Sequence, residues 1–90
     1  MLRAIEAMLP AHVAHPAAAT LTVDLAAVVA NWRLLSARAV PARCGAVVKS
    51  EAYGLGAEPV VRALLRAGCR EFFVALGDEG IRLREALRNE

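Results

Sequence analysis

AVVKSEAYGLG, Ala46 to Gly56, joins an apolar run to the chain's only lysine and then to two glycines. The run CGAVV, Cys44 to Val48, is too short for a helix and does not alternate, which predicts a strand buried on both faces. A helix follows from about Ala57, with Pro59 tolerated in its first turn, and stops at Gly68. EFFVAL, Glu71 to Leu76, is another apolar strand. Asp78 then caps a further helix, IRLREALR, that runs almost to the chain end. Upstream, Thr20 to Val23 predicts a short strand. Asp24 is a good N-cap, and Leu25, Val28, Val29, Trp32 and Leu35 recur at helical spacing to about Ala39 before Pro41 ends the helix. A first helix, Leu2 to Leu9, stops at Pro10, and the proline- and alanine-rich segment to about Ala19 is a linker.

Strand, helix, strand, helix with short connections predicts an α/β fold with parallel strands and right-handed crossovers. Two such units cannot close a sheet, because parallel strands need both faces and both edges covered. The expected organisation is therefore an N-terminal helix and linker over residues 1–19, and the beginning of a larger α/β domain over residues 20–90.

Bulk composition narrows the function classes. The chain has 90 residues, is 58% hydrophobic and carries a net charge of +2, which fits a globular protein. Much of the apolar count is alanine, which supports helices but buries little area per residue. Acids stand beside most of the arginines, and no basic stripe with interleaved aromatics forms, so nucleic acid is not an expected partner. Cys44 and Cys69 have no Cys-x-x-Cys partner and no nearby histidine to complete a zinc set, so both read as small reduced core residues. His12 and His15 form an i, i+3 pair with no carboxylate or thiol ligand near, and read as solvated linker histidines. Glu6, Pro10, His12 and His15 interrupt any signal-peptide core. No apolar stretch approaches the roughly 20 residues that span a bilayer. The expected compartment is the cytoplasm.

In parallel α/β folds, side chains at the carboxyl ends of strands face the ligand crevice. Lys49 stands at such an end. An amine there, partly desolvated by its neighbours, is expected to have a lowered pKa and to form a Schiff base with a carbonyl. The cofactor that uses this chemistry most widely is pyridoxal 5'-phosphate, an electron sink that also needs a phosphate cradle. Gly54 and Gly56 are expected to let backbone amides approach that phosphate, and Tyr53 offers a hydroxyl four residues beyond the lysine. The same residues also fit a solvated lysine followed by a tight turn. A dinucleotide fingerprint fails, because its third glycine falls on Pro59.

VVKSEAYGLGA closely resembles the cofactor-lysine signature of alanine racemases, in which an apolar strand ends in a lysine followed by an A-Y-G-x-G turn. TVDLAAVVANWRLL resembles the segment leading into that family's barrel, and FFVALGDEGIRLRE resembles its second strand and helix. The resemblance covers about Leu21 to Arg88, and the lysine motif is its specific part. It implies a (β/α)8 TIM-type barrel, with Ala46 to Lys49 and Phe72 to Leu76 as its first two strands and Thr20 to Val23 as a strand of a separate β-domain.

The resemblance further implies an isomerase acting on alanine as a homodimer. Lys49 would carry pyridoxal 5'-phosphate and serve as acid/base on one face of the substrate α-carbon, and Tyr53 would hydrogen-bond the cofactor phosphate. Three positions depart from the family pattern: Ser50 stands where alanine is usual, Glu51 where asparagine or aspartate is usual, and Leu55 where histidine is usual. A barrel of this type needs about 250 residues. The remaining phosphate loops, the partner of the pyridine nitrogen and the family's opposite-face tyrosine, which the partner subunit supplies, are not in this segment. Competing readings are a decarboxylase on the same barrel, which the A-Y-G-x-G turn disfavours, and a non-catalytic cofactor-binding barrel, which has no need of a second-domain strand. A truncated product without activity of its own is compatible with the racemase reading.

Overall fold

The computed structural model describes residues 19–88. The helix expected over Leu2 to Leu9, the linker after it, and His12 and His15 lie outside the described residues. Helix α1 spans Leu25–Ala39 and is capped as expected, with Asp24 Oδ1 accepting from the Ala27 amide at 3.2 Å. Strand β1 is Ala46–Val47, α2 is Ala57–Ala67, β2 is Phe72–Phe73 and α3 is Gly77–Ala86. The two strands pair in parallel, Ala46 opposite Phe72 and Val47 opposite Phe73. An α/β fold with a small parallel sheet is thus what the chain forms.

Helix α2 organises the core. Ala57, Val60, Val61 and Leu64 recur at helical spacing and are all buried, forming one inward stripe. Burying Val60, Val61 and Leu64 stabilises the fold by about 1.5–3 kcal/mol each. The stripe meets Val48 at the end of β1 and Cys69 just before β2, both inaccessible to solvent. Pro59 sits in the first turn, where its missing N–H costs nothing, and Gly68 ends the helix with φ +113°. From α1, Leu25, Val28, Val29 and Trp32 pack on the same cluster, and the Trp32 indole donates to the Cys44 carbonyl at 2.9 Å, tying α1 to the entry of β1. Leu35 continues the periodic stripe in sequence but is exposed.

Several expectations need correction. Thr20 to Val23 is not a strand: only buried Val23 makes an isolated bridge, because an extended backbone without a neighbouring ladder leaves its polar groups to water. Strands expected over Cys44–Val48 and Glu71–Leu76 shrink to two residues each. They are not buried on both faces either. Helices cover one face, while Val47 and Phe73 stand 52% and 53% exposed on the other. Asp78 is not the cap of α3: Leu76 occupies the N-cap position, and Asp78 lies inside the first turn. Gly45 has a packing reason to be glycine, since a Cβ there would meet the Phe73 ring at 2.6 Å.

Neither α1 nor α3 holds a fully buried residue, so the fold depends on one small cluster around α2. A chain of this size buries only about 60–65% of its unfolded surface. The 90-residue chain by itself is therefore expected to show no cooperative thermal transition and to aggregate or stay molten. Scanning calorimetry checks this, and a sharp two-state peak would overturn it.

Candidate functional site

The site is built on the segment between β1 and α2. Val48, buried, ends the strand, and Lys49–Tyr53 coil into one tight turn. Ser50, Glu51, Ala52 and Tyr53 all have φ between 52° and 57°, so four successive non-glycine residues are left-handed. A left-handed α conformation costs L-residues roughly 1–2 kcal/mol each. It persists only where the surroundings over-determine it, a situation concentrated at functional sites.

The determinants are visible. The Ala52 amide donates to Val48 O at 3.0 Å and the Ala52 side chain is buried under α2. Gly54 N–H donates to Ser50 O at 3.0 Å, Leu55 N–H to Ala52 O at 3.1 Å, and Gly56 N–H to Glu51 O at 2.8 Å. The Glu51 carboxylate accepts from the Ala57 amide at 3.1 Å, occupying the N-terminus of α2 where a negative charge is favourable. Glu51, which departs from the family pattern, therefore has a structural use, and Leu55 is half-buried against the core.

These bonds correct the expected phosphate cradle. The amides of Gly54 and Gly56 are engaged within the turn itself. Their glycine identity answers to positive φ, +86° and +98°, rather than to an open anion nest.

Lys49 and Tyr53 stand near one another. The lysine Nζ lies 5.8 Å from the Tyr53 ring centroid, within cation–π range, and both residues are exposed. The desolvation expected around Lys49 is not supplied by residues 19–88. Tyr53 borders a groove of about 240 Å³ with Val47 and Trp32, while a separate cleft of about 390 Å³ on the other side of the turn is lined by Ser50, Glu51, Glu58 and Glu79.

Glu79 is the residue that sequence reasoning missed. Its Oε2 accepts from the Ser50 amide at 2.6 Å, and its Oε1 accepts from the Ala75 and Leu76 amides at 3.2 and 3.0 Å. A glutamate at the third helical position is a known capping signal, but Leu76 lacks the hydroxyl that completes the pattern. The amides of Ser50 and Leu76, with that of Ala75, hold its carboxyl below the usual carboxylate range. Elsewhere, Cys44 and Cys69 are free, and burial pushes the Cys69 thiol up. Among the described residues no group of three metal-ligating side chains converges, and no helix is long and apolar enough to cross a membrane.

Fold and site together define an α/β segment that presents a lone lysine, on a strained turn, at the end of a parallel strand. Residues 23–90 match the family model for alanine racemase, N-terminal domain, and the chain belongs to that family. It is 57% identical to an alanine racemase of Cereibacter sphaeroides over 79% of this chain and 21% of the relative. It is 51% identical to a catabolic alanine racemase of Rhizobium johnstonii over 89% of this chain and 21% of that protein. The chain thus spans about a fifth of the length of the curated relatives it matches. Its fold superimposes, at a TM-score of 0.69 and 49% identity, on the Bartonella henselae alanine racemase crystallised with covalently bound pyridoxal phosphate. That match covers 72% of this chain and 18% of the other. The Corynebacterium glutamicum enzyme matches at the same TM-score of 0.69 with 37% identity, over 76% of this chain and 20% of that one.

The lowered Glu79 value has a defined pH consequence. A carboxyl depressed on folding adds stability that is fully present above its unfolded value, near 4.5, and is lost as pH falls through the lower folded value. The readout is ¹³C titration of the Glu79 carboxyl in a completed chain, with residues 19–88 replacing the matching segment of the Cereibacter sphaeroides relative. It should show a midpoint below that of an unstructured glutamate. A midpoint at or above the unstructured value would overturn the assignment.

Proposed function

We propose that this chain is the N-terminal portion of a pyridoxal 5'-phosphate-dependent alanine racemase, with Lys49 as the Schiff-base lysine. The observation that carries this reading is the Lys49 amine, exposed at the carboxyl end of a parallel strand and 5.8 Å from the Tyr53 ring. The residues fit such a cofactor chemically: an accessible primary amine can take its carbonyl covalently, and a phenol can donate to its phosphate. Family membership and the cofactor named for the Bartonella henselae structure support the same conclusion.

When bound, the cofactor supplies an electron sink that stabilises negative charge at the substrate α-carbon. Lys49 holds it covalently. Buried Val48 and Ala52 flank the lysine in sequence and anchor its backbone, so the amine is delivered from a defined point at the strand end. Once the substrate's own amine takes the lysine's place on the cofactor carbonyl, the released Lys49 amine would take a proton from the α-carbon on its own face as a free base and return one as an ammonium. Tyr53 fixes the phosphate. Racemisation also needs an acid/base on the opposite face, which in this proposal comes from the second subunit of a homodimer.

In this proposal, β1 and β2 are the first two strands of a (β/α)8 barrel, and the open face bearing Val47 and Phe73 is its interior. Residues 1–19 precede the domain, and the enzyme works on alanine in the cytoplasm.

In the completed chain, borohydride reduction and peptide mapping should place the pyridoxyl group on the peptide containing Lys49. Lys49→Arg should abolish it, because a guanidinium stays protonated. Label on another peptide would refute the assignment. Tyr53→Phe should weaken cofactor affinity by about 1–2 kcal/mol, the usual range for one hydrogen bond to a charged group, with turnover at saturating cofactor largely retained. Equilibrium titration with pyridoxal 5'-phosphate measures the first quantity. Lost turnover at unchanged affinity would instead assign Tyr53 to proton transfer.

A further inference from the structure

We infer that Glu79 is a positioning residue for Lys49, its carboxylate joining the loop after β2 to the peptide bond that follows the lysine. The inference rests on the proposed role of Lys49 and deepens it. A hydrogen bond to the Ser50 amide constrains the plane of the Lys49–Ser50 peptide, and hence the rotation about the Lys49 Cα–C bond. That rotation decides where the lysine's stem leaves the strand end. The bond is short, 2.6 Å, and charge-assisted.

Its source matters as much as its length. The other contacts that hold the left-handed turn come from Val48, from within the turn and from α2, all belonging to the unit that contains the lysine. Glu79 alone among the described hydrogen bonds reaches the turn from the second strand–helix unit. It also grips the Ala75 and Leu76 amides, so its carboxylate is anchored on a helix start before it reaches Ser50. Two strand-end loops are thereby locked in one arrangement. A left-handed segment with this intrinsic cost would otherwise be free to relax toward right-handed conformations, moving the amine.

Glu79→Gln separates the two jobs. A side-chain amide offers one acceptor oxygen and one donor nitrogen, so it can cap α3 or hold Ser50 N–H, but not both. Glu79→Ala removes both. In the completed chain carrying these residues, three quantities are read: melting temperature, amide exchange of the peptide containing Ser50, and the rate at which borohydride-trappable pyridoxal 5'-phosphate accumulates on Lys49. The expected result for Glu79→Gln is a smaller loss of melting temperature than for Glu79→Ala. Exchange at the Ser50 peptide should be faster, and cofactor capture slower by about tenfold or more, as misplacing a reacting group is costly. Unchanged capture overturns the inference. So does a Glu79→Gln protein as destabilised as Glu79→Ala, which makes Glu79 a helix cap alone. If the unsubstituted protein takes the cofactor elsewhere, the role of Lys49 fails separately. Exchange at Ser50 then decides the clamp, faster exchange supporting it and unchanged exchange overturning it.

Discussion

Handedness is the constraint on which the rest of this structure depends. The chain turns from β1 toward α2 through four consecutive residues that L-amino acids disfavour, Ser50 to Tyr53. None is glycine. Each contributes roughly 1–2 kcal/mol of local strain relative to a right-handed turn, so the geometry exists only because tertiary contacts outweigh it. Ala52 is turned inward under α2, the Glu51 carboxylate sits on the start of α2, and Glu79 reaches across from α3. Remove the helices and the turn has no reason to coil this way.

The same contacts explain why the turn leaves Lys49 and Tyr53 accessible. Positive φ at Ser50 through Tyr53 sends alternate parts of the turn to opposite environments: Ala52 goes into the core, while Lys49 and Tyr53 remain exposed and within 5.8 Å of one another. The turn buries Ala52 and leaves Lys49 and Tyr53 in solvent reach. The two glycines then close the turn with their own amides.

Packing around α2 sets the scale of what this segment can hold. Its buried stripe consists of alanine, valine and leucine, and its neighbours in α1 and the sheet are only partly covered. Trp32 compensates on one side by filling space and donating to Cys44 O. Val47 and Phe73, paired across the sheet, remain half-exposed on the face opposite the helices. A two-stranded parallel sheet covered on one face is the form in which such strands seek further partners.

Local pattern carried much of the fold. Asp24 as a cap, the helical spacing from Leu25 to Trp32, Pro59 in a first turn, Gly68 at a helix end and the parallel order of Ala46–Val47 and Phe72–Phe73 were all legible, because each follows from side-chain periodicity or from what proline and glycine do to the backbone. Lys49 and Tyr53 stand near one another partly because they are only four positions apart in the chain. Other features were not legible. The left-handed turn is invisible in S-E-A-Y, whose residues favour it nowhere locally, and Glu79 stands 29 positions from the amide it holds. The false two-sided burial of the strands and the false strand at Thr20 have the same origin. Sequence determines what each short stretch prefers, whereas strain, sheet coverage and a carboxylate's distant partner are decided only when separate elements meet, since each is a balance between a local cost and contacts made elsewhere in the chain.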